Sequence, residues 1–212
     1  MKRINYPLAT TTWDEKEISA IKKVTDSGMF KLGPFVQEYE RRFAKFFGSK
    51  FALMTSSGSS ANLLMIGSLF FTRDKKLRLK RGDEIIVPAV SWSTTYFPLQ
   101  QYGLKVKFID IDLDTLNLDL SALKRSITKK TKGIVIAHTL GNPFELEKIN
   151  ELCEKYNLFL MEDNCDSFGS TYDNQYTGTF GDISTLSFYP AHHITTGEGG
   201  AVLTNKPKLK KI

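Results

Sequence analysis

Hydrophobic positions change their spacing along this chain. Two helical patterns open it. TTWDEKEISAIKKVTDSG (11–28) begins with Thr12 and Glu15 at capping-box spacing and stops at Gly28. GPFVQEYERRFAKFFG (33–48) places Pro34 at a first helical position and predicts an apolar face through Phe35, Tyr39, Phe43 and Phe46. Short unbroken apolar runs follow, of the kind that strands buried on both faces require: FALMT (51–55), EIIVP (84–88), KVKFID (105–110), GIVIAH (133–138) and LFLME (158–162). Helical patterns separate them at SANLLMIGSLFF (60–71), TTYFPLQQY (94–102) and ELEKINELCEKY (145–156). Strand and helix in alternation predict a mostly parallel sheet covered on both faces, an α/β architecture. After Asp163 the helical rhythm fades, and ISTLSFY (183–189) and GAVLTN (200–205) read as further strands.

With 212 residues the chain can bury a sizeable core, and 41% apolar with 25% charged residues is the composition of an ordinary globular protein. The opening MKRINYPLATTT lacks the apolar segment of a secretory signal, and the longest apolar stretch, LLMIGSLFF (63–71), is too short to span a bilayer. The expected location is therefore the cytoplasm, away from a membrane. Two cysteines, Cys153 and Cys165, form no disulfide framework and agree with a reducing compartment. The net charge of +6 gathers in RDKKLRLKRGD (73–83), KRSITKK (124–130) and KPKLKK (206–211). No aromatic residues interleave with these charges, so they read as solvated surface rather than a nucleic-acid site, with a mild field that would attract a small anion.

In a sheet of this kind ligands lie beyond the carboxyl ends of the strands. Four segments stand there. SSGSSAN (56–62) opens a helix, where backbone amides and hydroxyls suit a phosphate, although Ser and Gly are equally ordinary cap residues. VSWSTT (90–95) places Trp92 where its ring either covers a flat ligand or packs between helix and sheet. MEDNCDS (161–167) clusters Glu162, Asp163 and Asp166, more acids than turn formation needs. SFYPAHHITTGEGG (187–200) sets two of the chain's three histidines side by side in a loop rich in Gly and Thr.

Taken in order, SSGSSAN, PAVSWSTT, EDNCDS and SFYPAHHITTGEGGAV resemble the motifs of the DegT-type, fold-type I vitamin B6-dependent sugar aminotransferases and dehydratases, over nearly the whole chain. The resemblance implies a fold-type I large domain, a mostly parallel mixed sheet flanked by helices. It would span residues 31–212 behind an N-terminal segment and helix (1–30), with the family's smaller C-terminal domain absent from this chain. Most relatives carry Ser-Phe, three intervening residues, and then the lysine that holds pyridoxal phosphate covalently; here that position is His192. The replacement resembles the branch that dehydrates nucleotide-linked 4-keto-6-deoxyhexoses at C3, in the GDP-mannose and CDP-glucose series. It implies deoxysugar synthesis for lipopolysaccharide O-antigen, a lyase with pyridoxamine or pyridoxal phosphate held noncovalently, and a nucleotide-sugar substrate.

A position without a primary amine cannot anchor the cofactor, and no lysine lies between Lys155 and Lys206. Imidazole can still move protons. The resemblance assigns His192 the proton transfers, with His193 structural. It assigns Asp163 the pyridine nitrogen and Trp92 the ring face. Gly58, Ser59 and Ser187 take the phosphate, and Asp166 joins the cofactor shell at a position where one dehydratase series carries Glu. NYPLATTTWDEKE and the tryptophan motif look closer to the GDP-sugar enzymes, whereas IAHTLGNPFEL and the histidine motif look closer to the CDP-sugar enzymes, which leaves the nucleotide open. Cys165 stands at the place of an iron-sulfur ligand of the CDP-sugar enzyme, but two cysteines cannot supply four thiolates, so no cluster is expected in this chain. The resemblance further implies a homodimer whose sites borrow residues from the partner, and a reductase partner on the CDP-sugar reading. The alternatives are a lysine-dependent aminotransferase, an inactive cofactor-binding fragment, and a generic nucleotide-binding module; the last lacks any G-x-G-x-x-G or Walker pattern after a strand.

Overall fold

The structure, a computed structural model, describes residue 7 and residues 9–210. Parts of the NYPLATTTWDEKE and KPKLKK segments therefore lie outside the described residues. Helix α1 (Glu15–Asp26) does begin with a capping box, but two residues later than the Thr12 and Glu15 spacing predicted. Asp14 is the cap: its Oδ1 accepts from Lys16 N at 2.7 Å, and Glu17 Oε2 accepts from Asp14 N at 2.8 Å. Two carboxylates at a helix N-terminus also oppose its dipole, which a threonine cannot do. α1 buries none of its residues.

Helix α2 (Pro34–Phe47) starts at its proline and stops at Gly48, which takes the left-handed conformation at φ +68°. Its buried stripe is Phe43, Ala44 and Phe47. Phe46 instead lies half exposed, stacked at 5.8 Å on Phe168 and 5.2 Å on Tyr176. The i, i+4 series from Tyr39 through Phe43 lands on Phe47, and Phe46 falls about 100° away from it. Each phenylalanine buried here contributes roughly 1.5–3 kcal/mol of transfer free energy.

The strands follow the apolar runs closely: β1 (Phe51–Thr55), β2 (Glu84–Pro88), β3 (Lys105–Ile109), β4 (Thr131–Ala137), β5 (Phe159–Asp163), β8 (Ile183–Ser187) and β9 (Gly200–Thr204). They form one seven-stranded sheet in the order β1-β9-β8-β5-β4-β2-β3. β2, β3, β4, β5 and β8 pair in parallel, and β9 runs antiparallel to both β8 and β1. β1 is thus parallel to the central strands, and the carboxyl ends of β1, β2, β4, β5 and β8 share one edge.

Helices α3 (Gly58–Phe71) and α4 (Ser93–Gln101) cover one face, packing Met65, Leu69 and Leu99 on Ile85, Val135 and Met161. Helices α5 (Leu120–Ser126) and α6 (Leu146–Tyr156) cover the other, where Leu123, Ile149 and Cys153 meet Ile86, Ile134 and Leu160. Odd and even strand residues alternate between these cores, as the two-residue pleat demands. α2 extends the second layer over β1, β8 and β9 through Phe43 and Phe47. A short hairpin, β6 (Thr171–Tyr172) and β7 (Gln175–Tyr176), and a terminal turn α7 (Pro207–Lys210) complete the described residues. No helix among them is long and apolar enough to cross a membrane.

Candidate active site at the carboxyl edge of the sheet

Asp163 closes β5 and is buried under α3 and α4. Its Oδ2 accepts from Thr95 Oγ1 at 2.7 Å and from Asn62 Nδ2 at 3.0 Å, while its Oδ1 accepts from Cys165 N at 3.3 Å. Asn62 in turn accepts at Oδ1 from Thr185 Oγ1, 2.7 Å away on β8. The carboxylate is therefore gripped from two helices and the neighbouring strand, and its orientation does not depend on any ligand. Asn62 and Thr95 were missed as site residues in the sequence. Their signal was a buried polar side chain on a helix face that otherwise packs the core, one turn past Gly58 and one turn past Ser91 respectively.

The three acids of MEDNCDS part company. Glu162 lies on the opposite side of the strand from Asp163, fully buried, and its carboxylate accepts from Gly178 N (2.8 Å), Phe180 N (2.9 Å) and Gly181 N (2.6 Å). His138 Nε2 stands 3.0 Å from the same carboxylate, and His138 Nδ1 accepts from Phe144 N at 3.3 Å, so the ring hydrogen sits on Nε2. Glu162 and His138 thus form a structural clamp between β4, β5 and the turn before β8. Asp166 turns outward beyond the strand.

On the α3 side, Ser57 caps the helix by accepting at Oγ from Ser60 N at 3.1 Å. The amides of Gly58 and Ser59 take no part in this cap. Ser59 is exposed, whereas Gly58 is buried against the end of β8. A Cβ on Gly58 would stand 2.5 Å from Ser187 Cβ and 3.1 Å from Cys165 Sγ, so only glycine lets the helix start this close to the strand. Burial, and then the Asp163 carboxylate, hold the Cys165 thiol well above the usual cysteine range. Burial likewise pushes the Cys153 thiol up to about 12.

Trp92 is the cap residue of α4 and is 74% exposed, so it is not packed between helix and sheet. Its carbonyl accepts from Thr95 N at 3.0 Å, which places the indole one turn from the Thr95–Asp163 contact. The histidine loop is closed at its base by Phe188 N donating to Gly199 O (2.9 Å) and Thr196 N donating to Phe188 O (3.1 Å), with Gly197 turning at φ +83°. Within it His192 N donates to Tyr189 O at 2.9 Å, and the His192 ring reaches back so that Nδ1 is 3.3 Å from Asp166 Oδ1. His193 faces solvent. The pair of histidines is one ring turned toward the β5 exit and one turned away.

These features suit a flat, anionic cofactor. A cradle that a single Cβ would fill lies at a helix N-terminus, and a buried carboxylate points across from it. Helix amides can hold a phosphate and a fixed carboxylate can hold a ring nitrogen. Among the described residues no group of three or more His, Cys, Asp or Glu side chains could hold a metal ion.

The fold and these motifs place the chain in a family. The profile of the DegT/DnrJ/EryC1/StrS aminotransferase family matches residues 11–212, and the chain belongs to that family. Among curated relatives, the GDP-4-keto-6-deoxy-D-mannose 3-dehydratase of Escherichia coli O55:H7 is 56% identical over 99% of this chain and 53% of its own length. The solved E. coli GDP-4-keto-6-deoxy-D-mannose 3-dehydratase with bound hydrated PLP superposes with a TM-score of 0.93 at 55% identity, over 97% of this chain and 52% of that one. A histidine-to-asparagine mutant of GDP-4-keto-6-deoxymannose 3-dehydratase with bound GDP-perosamine matches with the same TM-score at 54% identity, over 97% and 53%. The chain spans about half the length of the curated relatives it matches.

Proposed function

We propose that this chain forms the cofactor-binding part of a vitamin B6-dependent lyase that removes the C3 hydroxyl of a GDP-linked 4-keto-6-deoxyhexose, with GDP-4-keto-6-deoxymannose as its substrate. The observation that carries the reading is His192, which stands at the lysine position of the aminotransferase pattern in a stretch, 156–205, that contains no lysine at all. The identity with GDP-sugar dehydratases favours GDP over CDP.

Pyridoxamine phosphate, when bound, supplies the amine that condenses with the sugar ketone and the ring that accepts electrons. The chain's own residues do the rest. Gly58 and Ser59 amides with the Ser187 hydroxyl hold the phosphate. Asp163, fixed by Asn62 and Thr95, keeps a proton on the ring nitrogen. Trp92 covers the ring face and limits water. His192 takes a proton at Nε2 and passes it to the departing C3 hydroxyl, one general base turned general acid.

Residues 31–212 are proposed as the large domain and 1–30 as a separate N-terminal segment, which the absence of buried residues in α1 supports. The reaction is assigned to the cytoplasm and to a homodimer; the oligomer is measurable by light scattering. The central test adds pyridoxal phosphate, reduces with borohydride and maps peptides. The expected result is specific cofactor binding with no label in 156–205. A label there overturns the reading, as does the absence of dehydrated product when the complete protein is given pyridoxamine phosphate and the GDP-linked ketosugar.

A further inference from the structure

We propose that Asp166 is the positioning residue of His192: its carboxylate takes the Nδ1 hydrogen and so keeps the ring's lone pair on Nε2, the nitrogen that faces away from Asp166. The inference rests on the reading of His192 as the proton-transfer group and adds to it a device that sets which nitrogen works.

Several contacts hold the two partners in register. Asn164 N donates to Thr185 O at 2.9 Å and Ser167 N donates to Asn164 O at 3.2 Å, so the turn carrying Asp166 is fastened to β8, the strand that also launches the histidine loop. The Asp166 carbonyl passes beside Gly141, where a Cβ would lie 3.5 Å from Asp166 O, and Ser170 Oγ donates to Gly141 O at 2.9 Å. On the other side the Tyr189 ring meets the His192 ring edge to face at 6.2 Å and 72°. Asp166 Oδ1 then lies 3.3 Å from His192 Nδ1, within ion-pair distance but off the line of a hydrogen bond, which a rotation of the freer carboxylate would complete. The imidazole side chain is only 20% exposed while the carboxylate is 52% exposed, so the ring is the more confined partner.

The chemistry gives this contact a purpose. A neutral imidazole has one donor and one acceptor nitrogen, and the hydrogen bond made by one decides the role of the other. A base that must accept a proton at Nε2 needs its hydrogen on Nδ1, and a carboxylate at Nδ1 secures both the tautomer and the ring angle. Carboxylates serve histidine bases in this way in the Ser-His-Asp enzymes. At 52% exposure the ion pair itself stabilises the fold little, so its effect belongs to orientation.

The test reads the tautomer directly. The chain has three histidines, and nitrogen-15 labelling of histidine alone gives a spectrum of six ring nitrogens. At a pH where the rings are neutral, His192 is expected to show a pyrrole-like Nδ1 and a pyridine-like Nε2. His138, held the other way round by Phe144 N and Glu162, serves as an internal control for the fold. Asp166→Ala should exchange the two His192 signatures and leave those of His138 in place. Asp166→Asn retains an acceptor and should retain the Nδ1–H form. In the complete enzyme, Asp166→Ala should lower kcat by about 10-fold to 10²-fold with KM little changed, part of the 10²–10⁴ that proton transfer supplies, and Asp166→Asn should recover most of it. A wild-type His192 bearing its hydrogen on Nε2, or an Asp166→Ala protein whose His192 tautomer is unchanged, overturns the proposal. Failure of the underlying reading looks different: His192→Asn would then turn over at the wild-type rate whatever the tautomer.

Discussion

At the edge where β1, β2, β4, β5 and β8 end, the segments 51–72, 88–104, 108–123, 133–147 and 156–205 contain neither lysine nor arginine. At the opposite edge Lys50, Arg81, Lys105, Lys130 and Lys206 stand at the strand ends, and Lys208 pairs with Asp74 at 2.8 Å. These basic residues thus sit away from the candidate site. What the carboxyl edge offers an anion is short-ranged: helix amides, hydroxyls and a glycine that lets them approach. The acidic side chains buried at this edge are Glu162 and Asp163. The basic edge is built largely from exposed lysines and arginines, of which Lys206 and Lys208 pair with the more covered Asp182 and Asp74. The two edges teach that affinity for a phosphate can be made from backbone geometry, while a run of lysines can be no more than a soluble rim.

Substitutions at the two edges should differ accordingly. The largest effect is expected from His192→Asn, which keeps the size of the ring but cannot take up a proton; steady-state assays of the complete enzyme should find dehydration reduced by about 10²–10⁴-fold with cofactor binding retained. His192→Lys restores an amine and should make pyridoxal phosphate trappable by borohydride at that residue, with dehydration lost. Next comes Glu162→Ala, which strands the buried His138 ring and Gly178 amide and leaves the part-buried amides of Phe180 and Gly181 without their acceptor. A loss of about 3–5 kcal/mol, as for breaking a buried pair, should appear as a lower urea midpoint without change in the cofactor's spectrum in whatever protein remains folded.

Gly58→Ala is smaller and more telling. Its methyl group would push against Ser187, costing about 1–3 kcal/mol of packing, and displacing the α3 amides should weaken pyridoxal phosphate binding by at least about 10-fold in a fluorescence titration. Were Gly58→Ala to bind the cofactor as tightly as the parent, the phosphate cradle would lie elsewhere.

At the basic edge, Lys208→Ala should leave the thermal midpoint at neutral pH within experimental error. The Lys208 hydrogen bond holds the Asp74 carboxyl below its ordinary range. A depressed carboxyl stabilises the fold above its unfolded pKa and loses that contribution as pH falls through the folded one. Any difference between parent and Lys208→Ala should therefore vanish on acidification; a difference that grows in acid would contradict the pairing.

The sheet was legible because its strands are apolar runs bounded by turn residues, and FALMT and EIIVP coincide with β1 and β2. The β6–β7 hairpin escaped, although its turn residues Asp173 (φ 48°) and Asn174 (φ 60°) are the kind that a two-residue reversal requires. Two-residue strands leave no periodicity to read. Helix α5 escaped too: its cap, Asp119, accepting at Oδ1 from Ser121 N and Ala122 N, looks in sequence like one more acid in IDIDLDTLNLDL. At the site, the motifs marked Gly58, Trp92, Asp163, Ser187 and His192, since each follows a strand. The motifs could not separate the roles of neighbouring acids. Glu162 and Asp163 point to opposite faces of one strand, and Asp166 reaches a loop 26 positions away through a contact that no local pattern encodes.

The Glu162 clamp also writes a time record into the molecule. Hydrogens on the amides of Gly178, Phe180 and Gly181 are tied to a carboxylate with no solvent exposure, so they can exchange with deuterium only when β5 parts from its surroundings. The Gly58 and Ser59 amides have no such restraint and should label within the first seconds, until an anion covers them. In one mass-spectrometric experiment the slow peptide would report the lifetime of the whole sheet and the fast one the occupancy of the cleft.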